Sequence, residues 1–415
     1  MIKSKFSHNL ILLWLFVWPW STKFIFRPAE TNYLEIAFYL SSLLLLIPII
    51  ETVIGVLKTN RLKTRDTKVH PLWWWGVLII FTVSLLSITW AIDQQLALAC
   101  WLSLASSLFV FVFISRSLPS YRSRAVKVFL LGLIIPAFLG IVQFTFQFAP
   151  ANKFLGLAAH DPADLGISVI ETASGRFLRA YGSFDHPNIF GGLMAIAALF
   201  AFYLGIKEPD KKLRFFFLSA GLLFGLALLS SFSRSAWLAF GLGFLFIIIT
   251  NRKTFWRHGK YFFLGSAVLL IIFVALFSPL FLTRVNPEAR LEAKSLTERS
   301  ALMTQAKTVI RQQPLTGTGI GGYIPTLIMI NPSLSPWDYQ PVHNYWLIIW
   351  AELGFFGLLG FILLWLGALK GSLKNKLWPF WLVLLGLSFF DHWFFTQPVT
   401  PLAILFVLGY LSATT

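Results

Sequence analysis

The sequence predicts an all-α polytopic membrane protein of about twelve transmembrane helices, with a long late loop that contains an amphipathic helix. Three observations carry this expectation. The 415 residues are 57% hydrophobic and only 12% charged, whereas a soluble domain holds about a quarter charged residues. Twelve apolar runs approach the roughly 20 residues that a helix needs to cross a bilayer. The basic residues alternate along the chain in the pattern of the positive-inside rule.

In chain order the apolar runs are 8–26, 33–57, 72–91, 95–115, 125–148, 185–206, 213–232, 234–250, 261–283, 343–369, 377–395 and 399–413. The first follows MIKSKFSHN and resembles a signal sequence. No small-residue cleavage site follows Trp20, so it reads as an uncleaved first span. The pair 213–232 and 234–250 is either two spans with a tight turn or one long broken helix. Pro19, Pro48 and Pro136 fall inside runs, where neighbouring helices can re-satisfy the freed carbonyls. With the N-terminus inside, the inner segments hold 22 of the 34 lysines and arginines, including Lys58, Arg61, Lys63, Arg65 and Lys68 in one stretch. Both termini are then cytoplasmic, and the two long loops, 149–184 and 284–342, lie outside. Only an even number of spans permits this. Residues 1–415 read as a single transmembrane domain without repeats or a soluble appendage.

Several classes of function are excluded. The net charge of +17 sits in short loops between spans, not on a soluble basic face, so no nucleic-acid partner is expected. The single cysteine, Cys100, lies inside an apolar run and offers no disulfide framework. There is no HExxH, no Cys/His spacing for a metal, no DxD and no GxSxG. Asp161–Asp164 (DPAD) reads as helix capping, and Asp391–His392 lacks the spacing of a metal site. Neither metal nor cofactor is expected, and arginines are the cations on offer.

The polar segment 284–343 is the natural seat of chemistry. It holds Arg284, Arg290, Lys294, Arg299, Lys307 and Arg311, a cluster of glycines and a terminal histidine. Leu296–Gln312 reads as an amphipathic helix beginning near Thr297 and Ser300 and closed by Pro314. Met303, Ala306 and Ile310 share one face, and that stripe extended backwards meets Arg299. Arg299 is then either a snorkelling side chain or a ligand-binding cation. Lys307 and Arg311 project elsewhere. In PLTGTGIGGY, Gly317, Gly319, Gly321 and Gly322 permit either a tight structural turn or close backbone approach to an anion. His343 and Asn344 open the next span at the depth where the loop meets the bundle, and an imidazole there suits removal of a proton from a hydroxyl. Glu352, two and a half turns deeper, needs a partner, for which an arginine is the natural choice. Arg234 lies between two apolar runs with no loop to hold it, which is costly unless it is paired or faces water. Arg179, Asp185, His186 and Asn188, where loop 149–184 re-enters, raise the same question less strongly.

Guanidiniums at the outer membrane face suit a phosphate or diphosphate through bidentate hydrogen bonds. A lipid-linked diphosphate sugar would keep its tail among the helices and its head beneath the loop. Positioned arginines stabilise the departing diphosphate, and His343 helps the acceptor hydroxyl attack. This chemistry points to glycosyl transfer at the outer leaflet.

The residues also resemble a known family. RAYGSFDHPNIFGG, SFSRSAWLAF, ERSALM with PLTGTGIGGY, and HNYWLIIWAELGFFGLLGF are similar, in order, to the motifs of the O-antigen ligase superfamily of ligases, related polymerases and O-oligosaccharyltransferases. The resemblance spans roughly 179–365. It implies a metal-independent, inverting, GT-C-like glycosyltransferase of the bacterial inner membrane. Its donor would be an undecaprenyl-diphosphate-linked glycan and its acceptor a periplasmic one, lipid A–core first among them. Carried over by motif, Arg234 and Arg299 bind the diphosphate and His343 activates or orients the acceptor. Arg179 and Asn188 shape the site, and Asn344, Gly319 and Glu352 are expected among the substrate-binding residues. A polymerase or protein O-oligosaccharyltransferase would use the same donor, and a lipid-glycan transporter is the alternative of another class.

Overall fold

The computed structural model describes residues 4–29, 31, 33–59, 71–396 and 400–413. Arg61, Lys63, Arg65 and Lys68 lie outside the described residues. In chain order the elements begin with α1 (Lys5–Val17), β1 (Lys23–Arg27), β2 (Ile36–Tyr39), α2 (Leu43–Thr59), α3 (Pro71–Ser87), α4 (Gln94–Ser115) and α5 (Pro119–Phe146). There follow β3 (Val169–Thr172), β4 (Gly175–Leu178), α6 (Pro187–Lys207), α7 (Lys211–Ser230), α8 (Arg234–Thr250), α9 (Arg252–His258), α10 (Lys260–Leu276) and α11 (Ser278–Val285). The chain continues with α12 (Arg290–Gln312), α13 (Tyr323–Ile330), α14 (Tyr345–Lys374), α15 (Trp378–Phe390), α16 (Trp393–Thr396) and α17 (Thr400–Ser412).

The fold is all-α and polytopic. Among the described residues, six helices are long and apolar enough to cross a membrane, or eight if each of two bent pairs is one span. Each of the twelve expected runs contains a helix, but the second, 33–57, also takes in β2, and α1, α3, α15 and α17, at 13–17 residues, are shorter than a crossing requires. The 213–250 region resolves as two helices, α7 and α8, joined at Ser231–Ser233. The first run was drawn too long: α1 ends at Val17, and the aromatic residues beyond it pair as β1 with β2. Asp93 ties that hairpin to the bundle. It accepts a hydrogen bond from the Leu96 amide as the N-cap of α4 and pairs with Arg27 at 2.5 Å.

Burial runs opposite to the soluble rule. α6 is sheathed by α5, α7, α8 and α15 and buries nearly every residue from Pro187 to Ile206. α10 buries none and presents Leu264, Val268, Ile271 and Leu276 outward. A helix apolar all round is a core or a lipid-facing span, and this chain uses both.

The segment after α12 interlocks with α14. Gly354 leaves helical geometry inside α14 at φ +65°, and the loop 314–319 fills the opening. Phe355 donates its amide to the Pro314 carbonyl, Thr318 to Ala351 and Gly319 to Glu352, each at 2.9 Å. A Cβ at Gly354 would lie 2.1 Å from the Leu315 carbonyl oxygen. Both the positive φ and the close approach demand glycine. Gly354→Ala is expected to lower the thermal midpoint in detergent strongly, from strain on the order of 1–3 kcal/mol plus the clash. Gly386→Ala, in α15 with nothing near its would-be Cβ, should be neutral or stabilising by about 0.5–1 kcal/mol.

Candidate active site

Three groups of side chains meet where loops 146–187 and 285–345 close one end of the bundle.

The first is an arginine cluster around one buried carboxylate. α12 starts at Arg290, six residues before the expected Leu296, and the extra turn brings Glu292 inward. Glu292 is 3% exposed. It pairs with Arg234 of α8 at 2.9 Å and, through its other oxygen, with Arg284 of α11. Arg234 also donates to the Arg284 carbonyl at 3.0 Å, and Arg284 donates to the Phe232 carbonyl at 2.9 Å. Burial pulls the Arg284 guanidinium below its ordinary range, an effect that Glu292 opposes. Arg234 is 39% exposed at its side chain. It is the N-terminal residue of a helix, paired but open on one side. Arg299 lies two turns beyond Glu292 on the face that buries Leu302, Ala306 and Val309. It is half-buried, close enough to Arg284 to be felt electrostatically, and makes no ion pair among the described residues. Met303, expected on that stripe, is 41% exposed. Leu302 is buried on that face in its place. Lys307 and Arg311 are exposed, as their spacing predicts.

The second group is a hydrogen-bonded chain. Arg179 is buried at 5% exposure, and burial drives its guanidinium well below the usual arginine range. Three 2.8 Å bonds compensate, to the Ser231 carbonyl, Ser168 Oγ and Asn188 Oδ1. Asn188 turns its Nδ2 to Asp391 Oδ2 at 3.2 Å. Asp391 Oδ1 accepts the His392 amide at 2.8 Å and stands 3.4 Å from His343 Nδ1. The arginine cluster and the chain touch through the Ser231–Phe232 turn.

The third is a histidine pair. His343 and His392 stack at 5.2 Å between centroids, and His392 Nδ1 is 2.6 Å from Thr396 Oγ1. Ligand atoms of His343, Asp391 and His392 all lie within 4.8 Å of one another, a set able to hold a cation. Read along the chain, Asp391–His392 has no metal partner at a usable spacing; folding supplies His343. Asp391 also has both oxygens engaged by the protein.

Three expected substrate-binding residues have other work. Asn344 caps α14: its Oδ1 accepts the Trp346 and Leu347 amides at 3.0 Å, and its Nδ2 donates to the Phe389 carbonyl. The Gly319 amide is engaged by the Glu352 carbonyl, and its would-be Cβ would sit 2.7 Å from that of Ala91. The glycine turn is thus a packing device, not an anion cradle. Among the described residues Glu352 has no arginine partner; its Oε2 accepts the Gly321 amide at 2.7 Å. Amides of a positive-φ turn replace the cation that depth alone had suggested.

Arg284, Glu292 and Asp391 escape a linear reading. Asp391 carries the same signal that singles out Arg234, a charge within an apolar run. Glu292 carries none, because its partners come from two other helices. Glu292→Ala strands Arg284 in a buried site and is expected to reduce stability by about 3 kcal/mol. Lys294→Ala, which breaks only the exposed pair with Glu298, should stay within about 0.5 kcal/mol. Chemical unfolding in detergent measures both.

A family model described as O-Antigen ligase matches residues 218–362. The match runs from α7 to the Gly354 break and beyond, and takes in Arg234, Arg284, Glu292, Arg299 and His343. Arg179, Asn188 and Asp391 lie outside it. No curated protein matches the chain. The region 218–362 is thus similar to the O-antigen ligase family, a group of ligase- and polymerase-type glycosyltransferases.

Proposed function

We propose that this protein is an O-antigen-ligase-type transferase that moves a glycan from undecaprenyl diphosphate to a periplasmic acceptor, lipid A–core first among them. It is read as a single transmembrane domain of the bacterial inner membrane, with both termini cytoplasmic and the site facing the periplasm. The observation that carries this reading is the continuity of one polar path. It runs from a cationic cluster containing Arg299, which makes no ion pair among the described residues, through Arg179, Asn188 and Asp391, to His343.

In this reading Arg299 and Arg234 receive the diphosphate, whose charge grows as it leaves. His343 donates its Nδ1 proton to Asp391, which leaves Nε2 as the free base. The acceptor hydroxyl attacks the anomeric carbon as Nε2 takes its proton. The bond from that carbon to the diphosphate oxygen breaks, and the diphosphate departs with the electron pair. Attack opposite the leaving group inverts the anomeric centre. Asn188 and Arg179 hold Asp391 in place and do not touch substrate. The reaction is proposed to run without metal, since the arginines supply the positive charge and the Asp391 oxygens are occupied by protein donors.

Arg234→Ala, Arg299→Ala and His343→Ala should each reduce transfer at least about 100-fold in correctly inserted protein. Lys307→Ala and Arg311→Ala should stay within about threefold, because both side chains are solvent-facing. Full transfer by any of the first three removes that residue from its role. EDTA should leave the rate unchanged; loss restored by a divalent ion would make His343, Asp391 and His392 a metal site instead. Incubation with undecaprenyl-diphosphate-linked glycan and either lipid A–core, a second lipid-linked repeat or a serine-bearing periplasmic protein separates ligase from polymerase and protein glycosylation. Release of no undecaprenyl diphosphate with any acceptor would favour transport.

A further inference from the structure

The histidine pair contains a nitrogen that the transfer chemistry does not use, and Thr396 fixes which one it is. Its hydroxyl donates to the His392 carbonyl at 3.4 Å, so its oxygen accepts the His392 Nδ1 proton at 2.6 Å. His392 Nε2 therefore carries the lone pair. It faces Asp391 Oδ1 at 3.9 Å, and neither atom brings a hydrogen to the contact. His392 is 5% exposed and Asp391 6%, so little water reaches in to screen one electron-rich atom from the other. A buried lone pair aimed at a carboxylate oxygen calls for a cation between them.

His343 completes the set. Its Nδ1 stands 3.4 Å from the same Asp391 oxygen, and ligand atoms of the three residues lie within 4.8 Å of one another. Metal–ligand bonds of about 2.0–2.1 Å in a tetrahedron put neighbouring donors about 3.4 Å apart. The His343–Asp391 edge already has that length, and small ring movements close the others. Asp391 keeps its hydrogen bonds from the His392 amide and from Asn188; a metal replaces only the long contact with His343. The His343 side chain is 23% exposed, which leaves the fourth position open to water. Thr396 on His392 Nδ1 is the outer hydrogen bond that ligating histidines ordinarily make. The neighbouring His186 stays outside the set, because its Nδ1 lone pair accepts the Asn188 amide at 3.1 Å.

We infer that His343, Asp391 and His392 form an inhibitory site for Zn²⁺. Two imidazoles and one carboxylate oxygen select a borderline transition ion over Mg²⁺ or Ca²⁺, which take more oxygen ligands. Binding is independent of the transferase reading, whereas inhibition rests on it. In the metal-free protein His343 Nδ1 carries the proton and Nε2 is the base. An imidazole that gives its Nδ1 lone pair to a metal holds its proton on Nε2 instead. Zinc displaces the Nδ1 proton, Nε2 takes one up, and no lone pair remains for the acceptor hydroxyl.

Protein in lipid nanodiscs is stripped with EDTA, moved to chelator-free buffer and titrated with Co²⁺, while transfer is assayed separately with Zn²⁺ or Mg²⁺. Co²⁺ is expected to give the visible absorption of a tetrahedral site, bleached by Zn²⁺. Saturating Zn²⁺ should lower transfer at least about 100-fold, reversed by EDTA, and Mg²⁺ in large excess should not. His392→Gln should lose both the Co²⁺ absorption and the zinc sensitivity, each rate being compared with that variant's own metal-free rate. Thr396→Val, which keeps all three ligands, should weaken Co²⁺ binding about tenfold. Zinc held by the donor diphosphate would inhibit every variant alike, so inhibition that persists in His392→Gln would overturn the inference. Co²⁺ affinity unmoved by both substitutions, or Zn²⁺ that raises transfer, would overturn it too. No tetrahedral absorption from a protein that transfers glycan would remove the metal site and keep the transferase reading. Absorption that depends on His392 and His343, from a protein that transfers none, would do the reverse.

Discussion

The interlock between loop 314–319 and the opened helix α14 is the constraint on which the site depends. Helix interiors satisfy their own backbone, so a loop normally has nothing to grip there. The break at Gly354 exposes carbonyls and an amide midway along α14, and the loop pairs with them through Phe355, Thr318 and Gly319. α12 is thereby anchored at its C-terminal end to the helix that begins beside His343. The arginine of one element and the histidine of the other are set in register by backbone hydrogen bonds. Backbone-to-backbone fixing is stiff, and a site for charged groups needs that stiffness more than a packed core does.

Charge is arranged around that frame with economy. Arg179, Arg234, Arg284 and Arg299 gather with Glu292 as their only close carboxylate among the described residues. One buried carboxylate shared by two arginines holds both in place while leaving the cluster strongly cationic. That imbalance is unfavourable in an empty protein and favourable for a dianionic ligand.

The apolar runs, most of their boundaries and the amphipathic nature of α12 were legible in the chain because each depends on local hydropathy and spacing. So were Arg234, Arg299 and His343, whose residue types are out of place in their surroundings, and the family motifs that surround them. The hairpin β1–β2 was not legible, since the apolar centre of KFIFR continues the run of the preceding helix and its pairing is set by strand partners and Asp93.

What the tertiary structure alone decided is who pairs with whom. Glu292 meets Arg234 from 58 residues along the chain, and Asp391 meets His343 and Asn188 from the far end of the sequence. Glu352, Asn344 and Gly319 passed from substrate to scaffold for the same reason. A polar residue at membrane depth must find a partner, but its own identity does not say whether that partner is a ligand, a side chain or a turn of backbone amides. Hydropathy is a property of a segment and can be read from it. Hydrogen-bond satisfaction is a property of a neighbourhood, and the neighbourhood exists only once the chain has folded.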